Sequence, residues 1–496
     1  MDLTTEQIKD KCRLTEISRI TSTYEYGTAE FDYAMKAVKS KYSKPQPVDG
    51  MSIQDLMLTK KSNEATEKVV LMILTENKIY TIRDDNGTEI WYYKDGIYLQ
   101  DGISYIEERC RDLFEVCYTG HLKNKVIDKI KADTYIKNED FFKIKDPFII
   151  PLLNGFFNLE TNKLQEYSSD YVFTNKLKVY YEEETNCEDI IKFFNEILKD
   201  PVNDILLIQE MFGYCLLKCY DYQYAFMLLG NGRNGKGVTL SLLENMLGIR
   251  NVSSLSLQQI ENEKFLLHRL FNKHANIVGD LSKKALQNTG NFKKLTGQDI
   301  ISADRKFKST IDFHNVAKLI YSCNDLPFSY DDSDGFYDRW KFLDFPFKFV
   351  DKVTDSSYQK LKDPKLKDKL LTQENLNGLF KWSLIGLKRL IKNNKFSDNK
   401  TSSDNRTRWR RQSSSFNAFF DDHCTIDFQG YTTIQSLKEN YQTYCRKHDL
   451  KFESNAIIKN ILEQNGCDNV LKRIDFGEYQ DVSRVWKGVV VTFVTM

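Results

Sequence analysis

Seven residues, Gly230-Asn-Gly-Arg-Asn-Gly-Lys236, constrain this chain more than any other stretch. They follow an apolar run, Tyr224-Ala-Phe-Met-Leu-Leu229, that reads as a buried strand, and precede Val238-Thr-Leu-Ser-Leu-Leu-Glu-Asn-Met-Leu247, which reads as a helix. Strand, glycine-rich turn and helix, in that order, build a phosphate loop. The glycines let backbone N–H groups turn inward around phosphate oxygens, the helix N-terminus adds its dipole, and Lys236 supplies a point charge for the β- and γ-phosphates. Gly230, Asn231, Gly232, Arg233, Asn234, Gly235, Lys236, Gly237 and Val238 are therefore the expected cradle of a nucleoside triphosphate. One position departs from the pattern: Gly237 stands where a Ser or Thr hydroxyl normally holds Mg²⁺. Thr239 lies roughly 200° further round the helix and is a poor substitute.

With 496 residues, 41% of them hydrophobic and 13% aromatic, the chain has material for about two to four domains with real cores. Lys+Arg 71 against Asp+Glu 70 leaves a formal charge of +1, so any nucleic-acid surface must be a local patch and not a global field. The ten cysteines form no C-x-x-C. Cys215 and Cys219 are spaced to share one face of a helix, which without a His partner reads as core and not as a zinc site. Reduced thiols in a cytosolic compartment fit this usage. No basic region followed by an apolar stretch opens the sequence, and no window approaches about eighteen uninterrupted apolar residues, so neither secretion nor a membrane span is expected.

Residues 1–60 mix charged and polar types, with helical possibilities over Ala29 to Ser40 and a break at Lys44-Pro-Gln-Pro47, and read as an extension ending in a linker. Residues 61–185 read as a small mixed α/β domain. It has a helix around Val69–Leu74, a hairpin at Ile90–Tyr98 about an Asp-Gly turn, helical stretches near Ile103–Tyr118 and Lys123–Ala132, and short strands over Phe148–Leu159. Trp91, Tyr92 and Tyr93 in that hairpin read as packing and not as a base-stacking platform. Residues 186–222 carry apolar positions at helical spacing and form an expected helical collar.

Two further apolar strands follow the phosphate loop. His274-Ala-Asn-Ile-Val-Gly-Asp280 ends in a carboxylate, which at the C-terminal end of a parallel strand can hold Mg²⁺ directly or through water. Ala317-Lys-Leu-Ile-Tyr-Ser-Cys323 ends in Asn324, an amide able to bond a γ-phosphate or a hydrolytic water and equally able to serve as a turn residue.

Between these strands lies Lys294-Leu-Thr-Gly-Gln-Asp299, then a basic stretch through Lys306 and Lys308, and after Asn324 comes Asp338-Arg-Trp340 before another apolar strand. Together with the phosphate loop and the two strand ends, these motifs resemble superfamily 3 helicases, with the nearest likeness to the C-terminal helicase part of phage, plasmid and poxvirus-type primase-helicases. The resemblance covers roughly Glu67 to Asn393. It implies an α/β chain with an AAA+-like P-loop ATPase core that assembles as a homo-hexameric ring around single-stranded DNA at a fork, with ATP and Mg²⁺ bound between subunits and 3′→5′ translocation. It implies Lys236 as the phosphate-loop lysine, Asp280 as the metal-site acid, Asn324 as a polar sensor and Arg339 as an arginine finger for the neighbouring subunit. It also implies that Lys306 and Lys308 sit on a hairpin in the central channel, where lysines can grip phosphates without reading sequence. Gly237, and Gly279 beside Asp280 in place of a second acid, depart from the common pattern.

The core is expected over 223–350 and a helical lid and linker over 351–400, including an amphipathic helix at Leu376–Ile391. Arg408, Arg410 and Arg411 around Trp409 belong to a linker or a DNA-facing helix. Residues 401–496 show a helix, helix, hairpin order that suits a winged-helix-like domain, contacting either DNA or protein. The expected function is an ATP-dependent replicative DNA helicase of a virus, phage or plasmid, acting inside a cell at replicating DNA. The alternative is an ATP-switched initiator or loader that does not unwind processively. No acidic triad for primer synthesis is visible, so a separate primase or polymerase would supply primers. Replacing Lys306 and Lys308 together by Ala is expected to leave basal ATP hydrolysis intact and abolish its stimulation by single-stranded DNA, measured as turnover with and without DNA.

Overall fold

A parallel five-stranded sheet includes the apolar run that precedes Gly230. The computed structural model describes residues 51–84, 87–305, 308–398, 400–475 and 480–494. These residues are mixed α/β and fall into two units, one from 51–83, 88–94 and 99–141, the other from 142 onward together with 84, 87 and 95–98. The helix expected at Ala29–Ser40 and the break at Lys44–Pro47 lie outside the described residues.

Helices α1 (Ile53–Leu58) and α2 (Ser62–Glu76) lie in the first unit and precede strands β1 (Ile79–Asp84), β2 (Gly87–Lys94) and β3 (Ile97–Leu99), of which Asp84, Gly87, Ile97 and Tyr98 count with the second. The turn between β2 and β3 places Asp95 and Gly96 at positive φ, as a two-residue hairpin turn requires. Helices α3 (Gly102–Phe114) and α4 (Gly120–Asp133) follow, and β4 (Tyr135–Ile136) pairs in parallel with β1. Ala65, Val69 and Ile73 of α2 and Ile106, Cys110 and Phe114 of α3 recur every four residues and meet in one core. Tyr92 is buried and stacked on Tyr105 at 4.5 Å, so its ring is committed to packing.

The second unit opens with the antiparallel strands β5 (Ile149–Leu152), β6 (Gly155–Asn158) and β7 (Lys163–Gln165), then helices α5 (Glu188–Ile197) and α6 (Asn203–Tyr214). The main sheet combines β8 (Ala225–Leu229), β9 (Val252–Ser253), β10 (Ala275–Val278), β13 (Lys318–Cys323) and β14 (Trp340–Asp344) in the order β14-β8-β13-β10-β9, with every pairing parallel. Helix α7 (Lys236–Leu247) leaves the glycine loop, α8 (Leu257–Asn262) follows β9, and α9 (Gly290–Thr296) leads to an antiparallel hairpin, β11 (Ile300–Arg305) and β12 (Lys308–His314). Both faces of the sheet are covered, so β8 and β13 are buried at every residue. The period-2 alternation still sorts them: Phe226 and Leu228 enter one core, and Ala225, Met227 and Leu229 enter the other.

After α10 (Asp334–Tyr337) and β14 come the long helix α11 (Gln373–Asn393), lying in the first core, and α12 (Ser402–Ser413). Sequence offered α12 as a linker or a DNA-facing helix, but its Trp409 is fully buried in the second core. The indole N–H donates to the Pro327 carbonyl at 3.0 Å, and the ring lies 4.9 Å from Phe336 and 5.0 Å from Trp340. Truncating an aromatic this buried costs about 3–5 kcal/mol. Helix α12 is thus a structural part of the sheet layer.

Beyond it come α13 (Ser415–His423), β15 (Cys424–Thr433), α14 (Ile434–Lys447), α15 (Asn455–Gln464), β16 (Asp468–Asp475) and β17 (Gln480–Val491), and all but β16 contribute to one core. β17 is the middle of an antiparallel sheet with β15 and β16. The two helices and the final hairpin stand where sequence placed them, and β15 is an additional strand. No described helix is long and apolar enough to cross a membrane.

Cys215 and Cys219 do not share a helix face, because α6 ends at Tyr214. The Lys318 ammonium bonds the Leu217 carbonyl just past that end, supplying the cation that a helix C-terminus favours. Lys218 is buried close by, its ammonium on the Asn272 side-chain oxygen. Burial first, then Lys318 and Lys273, push the Lys218 ammonium down to about 7. An unfolded lysine titrates at about 10.4, so between about pH 7 and 10 the unfolded chain holds more protons and stability rises with pH. Lys218→Met should therefore stabilise the chain at pH 6 to 7, by about 1–2 kcal/mol after loss of the Asn272 bond, and flatten the alkaline rise in a series of denaturant melts.

Candidate nucleotide site

The registers of three strands bring the predicted residues to one edge of the sheet. Leu229 of β8 pairs with Cys323 of β13 and with Asp344 of β14, so Gly230, Asn324 and Phe345 emerge together. Val278 of β10 pairs with Tyr321, which places Asp280 two residues further on, level with Cys323. Ligands of open parallel sheets bind at this carboxyl edge.

Local chemistry holds the loop open there. Gly232, Arg233 and Gly235 have φ of 73°, 51° and 95°, turning the chain tightly before α7 begins at Lys236. A Cβ on Gly230 would lie 2.1 Å from the Asn234 amide nitrogen and 2.3 Å from the Phe345 carbonyl oxygen, so only glycine fits. The same Asn234 amide donates to that carbonyl at 3.2 Å, tying the loop to the end of β14. A Cβ on Gly237 would meet nothing within 4 Å. The Thr239 hydroxyl is buried and bonds the Gly235 carbonyl at 3.2 Å, within its own helix.

Lys236 is buried, and its ammonium bonds three acceptors: the Gly230 carbonyl, the Cys323 carbonyl at 2.8 Å and the Asn324 side-chain oxygen at 2.9 Å. An ammonium has three donors, so the lysine is fully satisfied. Burial pushes its proton affinity below the ordinary lysine value, while Cys323 and the Asp280 carboxylate act the other way. Lys236, Asn324 and Asp280 therefore form one electrostatic group. A cleft of about 1450 Å³ runs past Gly230, Asn231, Asn324 and Phe345 towards Arg408 and Lys451.

Arg339 lies at the other edge. Trp340 pairs with Ala225 at the start of β8, so six residues of extended chain, about 20 Å, separate Arg339 from the level of Gly230. It cannot reach the loop of its own chain. Its guanidinium is half-buried, bonds the Gly335 carbonyl and leaves its Nε–H without a partner. Among the described residues it has no carboxylate partner. Neighbouring arginines differ: Arg406 pairs with Asp332 and Asp334 at 3.0 Å each, Arg408 pairs with Asp344 over the Phe342 ring, and Arg411 grips both oxygens of Asp422 at 2.8 and 3.1 Å.

Two of the three arginines offered to DNA, Arg408 and Arg411, are thus engaged by carboxylates, and a phosphate would have to displace Asp344 or Asp422. Arg410 is half-buried and acts electrostatically on Tyr337 and Asp421. Lys306 lies outside the described residues, and Lys308 opens β12 opposite Arg305.

Residues 71–199 match a family described as D5 N terminal like, and residues 228–339 match a family of unknown function, DUF5906. "Putative helicase 121R" of Invertebrate iridescent virus 3 is 26% identical over 241 residues, which are 44% of this chain and 25% of that protein. "Putative helicase L207/L206" of Acanthamoeba polyphaga mimivirus is 27% identical over 247 residues, 46% of this chain and 25% of that protein. These partial matches support a relationship to phage and viral primase-helicases. The chain spans about a quarter of the length of these relatives. The apo NrS-1 C terminal region is also similar, at 10% identity and a TM-score of 0.45 over 85% of this chain and 98% of that one, too loose a likeness to carry argument.

Sequence missed the Asn234 tie to Phe345 and the Cys323 carbonyl on Lys236, because a backbone acceptor leaves no residue signature. The open space at Gly237 has a direct consequence. Gly237→Ser should fold with an unchanged melting temperature and bind a nucleoside triphosphate more tightly when Mg²⁺ is present, checked by titration with and without the metal.

Proposed function

We propose that this chain is an ATP-driven DNA helicase of viral, phage or plasmid replication, assembling as a homo-hexameric ring on single-stranded DNA with each nucleotide held between two copies. The observation that carries the reading is the division of the site. Lys236, Asn324 and Asp280 gather at the carboxyl edge of the sheet, and Arg339 waits uncommitted at the opposite edge, beyond reach of its own loop. A guanidinium so placed suits a nucleotide on another copy, where a planar charged fork stabilises a transferring phosphoryl group. The names of the viral relatives support the same reading.

In the reaction, the γ-phosphate would be received by the glycine loop at the N-terminus of α7, where the helix dipole favours an anion. Lys236 must then exchange at least one of its three acceptors for phosphate. Asn324 supplies the one side-chain acceptor of the three and can rotate to a new partner without moving the backbone, which suits a polar sensor at a strand end. Asp280, exposed at the same edge, is the protein's carboxylate for Mg²⁺. Bound Mg²⁺ would neutralise charge developing on the phosphate oxygens. The AAA+-like class of the core, the winged-helix-like class of residues 415–494 and 3′→5′ movement belong to this proposal.

Lys236→Ala and Arg339→Ala should each lower hydrolysis by about 10³-fold or more, Arg339→Ala without weakening nucleotide binding. Mixing the two variants should restore part of the turnover, because hybrid interfaces pair an intact Lys236 with an intact Arg339. A mixture as inactive as its components would remove the intersubunit role. Strand displacement from a tailed duplex separates the motor from an initiator that binds without unwinding.

A further inference from the structure

Arg339 is seated between two backbone segments. A Cβ on Gly335 would lie 3.4 Å from one terminal guanidinium nitrogen, and a Cβ on Gly297 would lie 3.7 Å from the other. Gly335 belongs to α10 and Gly297 closes α9, so the slot exists only while these two helices keep their spacing. One side chain fixes that spacing. The Asp331 carboxylate, on the segment before α10, accepts the Lys293 ammonium of α9 at 2.8 Å, the Thr289 hydroxyl at the start of α9, and the Ser333 amide at 2.9 Å. The Lys293 ammonium also reaches the Ser333 hydroxyl at 3.4 Å. Partial burial alone would raise the Asp331 carboxyl, yet these bonds hold it well below the usual carboxylate range. Phe292, one residue before Lys293, stacks on Trp340 at 4.8 Å, beside Arg339 in the chain.

We propose that Lys293 and Asp331 are positioning residues that hold Arg339 in its seat between Gly297 and Gly335, a role that rests on the reading of Arg339 as the residue completing a neighbour's site. Neither side chain touches nucleotide in its own chain. Their pairing sets the distance between Gly297 and Gly335, and hence the direction of the guanidinium. The hairpin strand β11 begins at Ile300, three residues after Gly297, so the helix that seats Arg339 also carries the hairpin root.

Asp331→Asn and Lys293→Met test this in the full chain with ATP and single-stranded DNA. Each is expected to lower kcat at least about tenfold while KM, nucleotide binding and assembly stay within about twofold. Mixing either variant with Lys236→Ala chains should restore turnover, since the Lys236→Ala copy presents a correctly seated Arg339 to the variant's intact loop. A purely structural defect would not be rescued that way. Unchanged kcat, or loss without rescue, overturns the proposal. If Arg339→Ala itself retains hydrolysis, the underlying reading fails; if Arg339→Ala is inactive while Asp331→Asn is not, only the clamp fails. Should Asp331→Asn not fold, Gly335→Val keeps the ion pair and crowds the guanidinium, and it should give the same kcat loss and the same rescue.

Discussion

The register of β8, β13 and β14 is the constraint on which the rest of the site depends. Leu229, Cys323 and Asp344 end at one level, and the three acceptors of Lys236 come from the residues at those ends. A slip of one residue in β13 would turn Tyr321 and Ser322 to opposite faces and remove both the Cys323 carbonyl and the Asn324 amide from the lysine. The slip is prevented by burial on both faces: Ile320 belongs to one core and Leu319, Tyr321 and Cys323 to the other. Packing deep in the sheet therefore fixes polar geometry at its edge.

The glycine loop, the strand ends and the order of the last helices and hairpin were legible because each is written in local spacing. Glycines at successive turns, a continuous apolar run and a lysine at a helix start all fall within a few residues of one another. What was not legible depends on partners far along the chain. Arg406 and Arg408 of α12 take their carboxylates from Asp332, Asp334 and Asp344, 64 to 74 residues earlier. Asp331-Asp-Ser-Asp334 reads as a solvated acidic turn, and nothing local points to Lys293 of another helix. The strand β15 escaped notice because its register shifts between Asp427 and Tyr431 and a run of five residues, Thr425 to Gln429, is exposed, which breaks the alternation that marks a half-buried strand.

Arg339 stands out by contrast with these paired arginines. A half-buried guanidinium with an unpartnered N–H lowers stability, and folded chains usually supply a carboxylate in such places. Local rules of this kind tend to be broken where a group is reserved for something outside its own chain. The surrounding structure bears the cost through rigid neighbours: the stack of Phe292 on Trp340, the buried Trp409 and the polar network around Asp331.

The anchoring of α12 has a consequence for how the molecule can be divided. Trp409 fills the second core, Asn405 donates to the Trp340 carbonyl at 2.9 Å, and Arg408 pairs with Asp344 at the end of β14. A chain cut where the sequence changes character, near residue 400, would lose the plug of its own sheet and expose Phe336, Trp340 and Phe342 to water. The natural seam lies after Ser413, where α12 gives way to α13. What reads as the first helix of a C-terminal appendage is physically the last helix of the layer that carries Lys236.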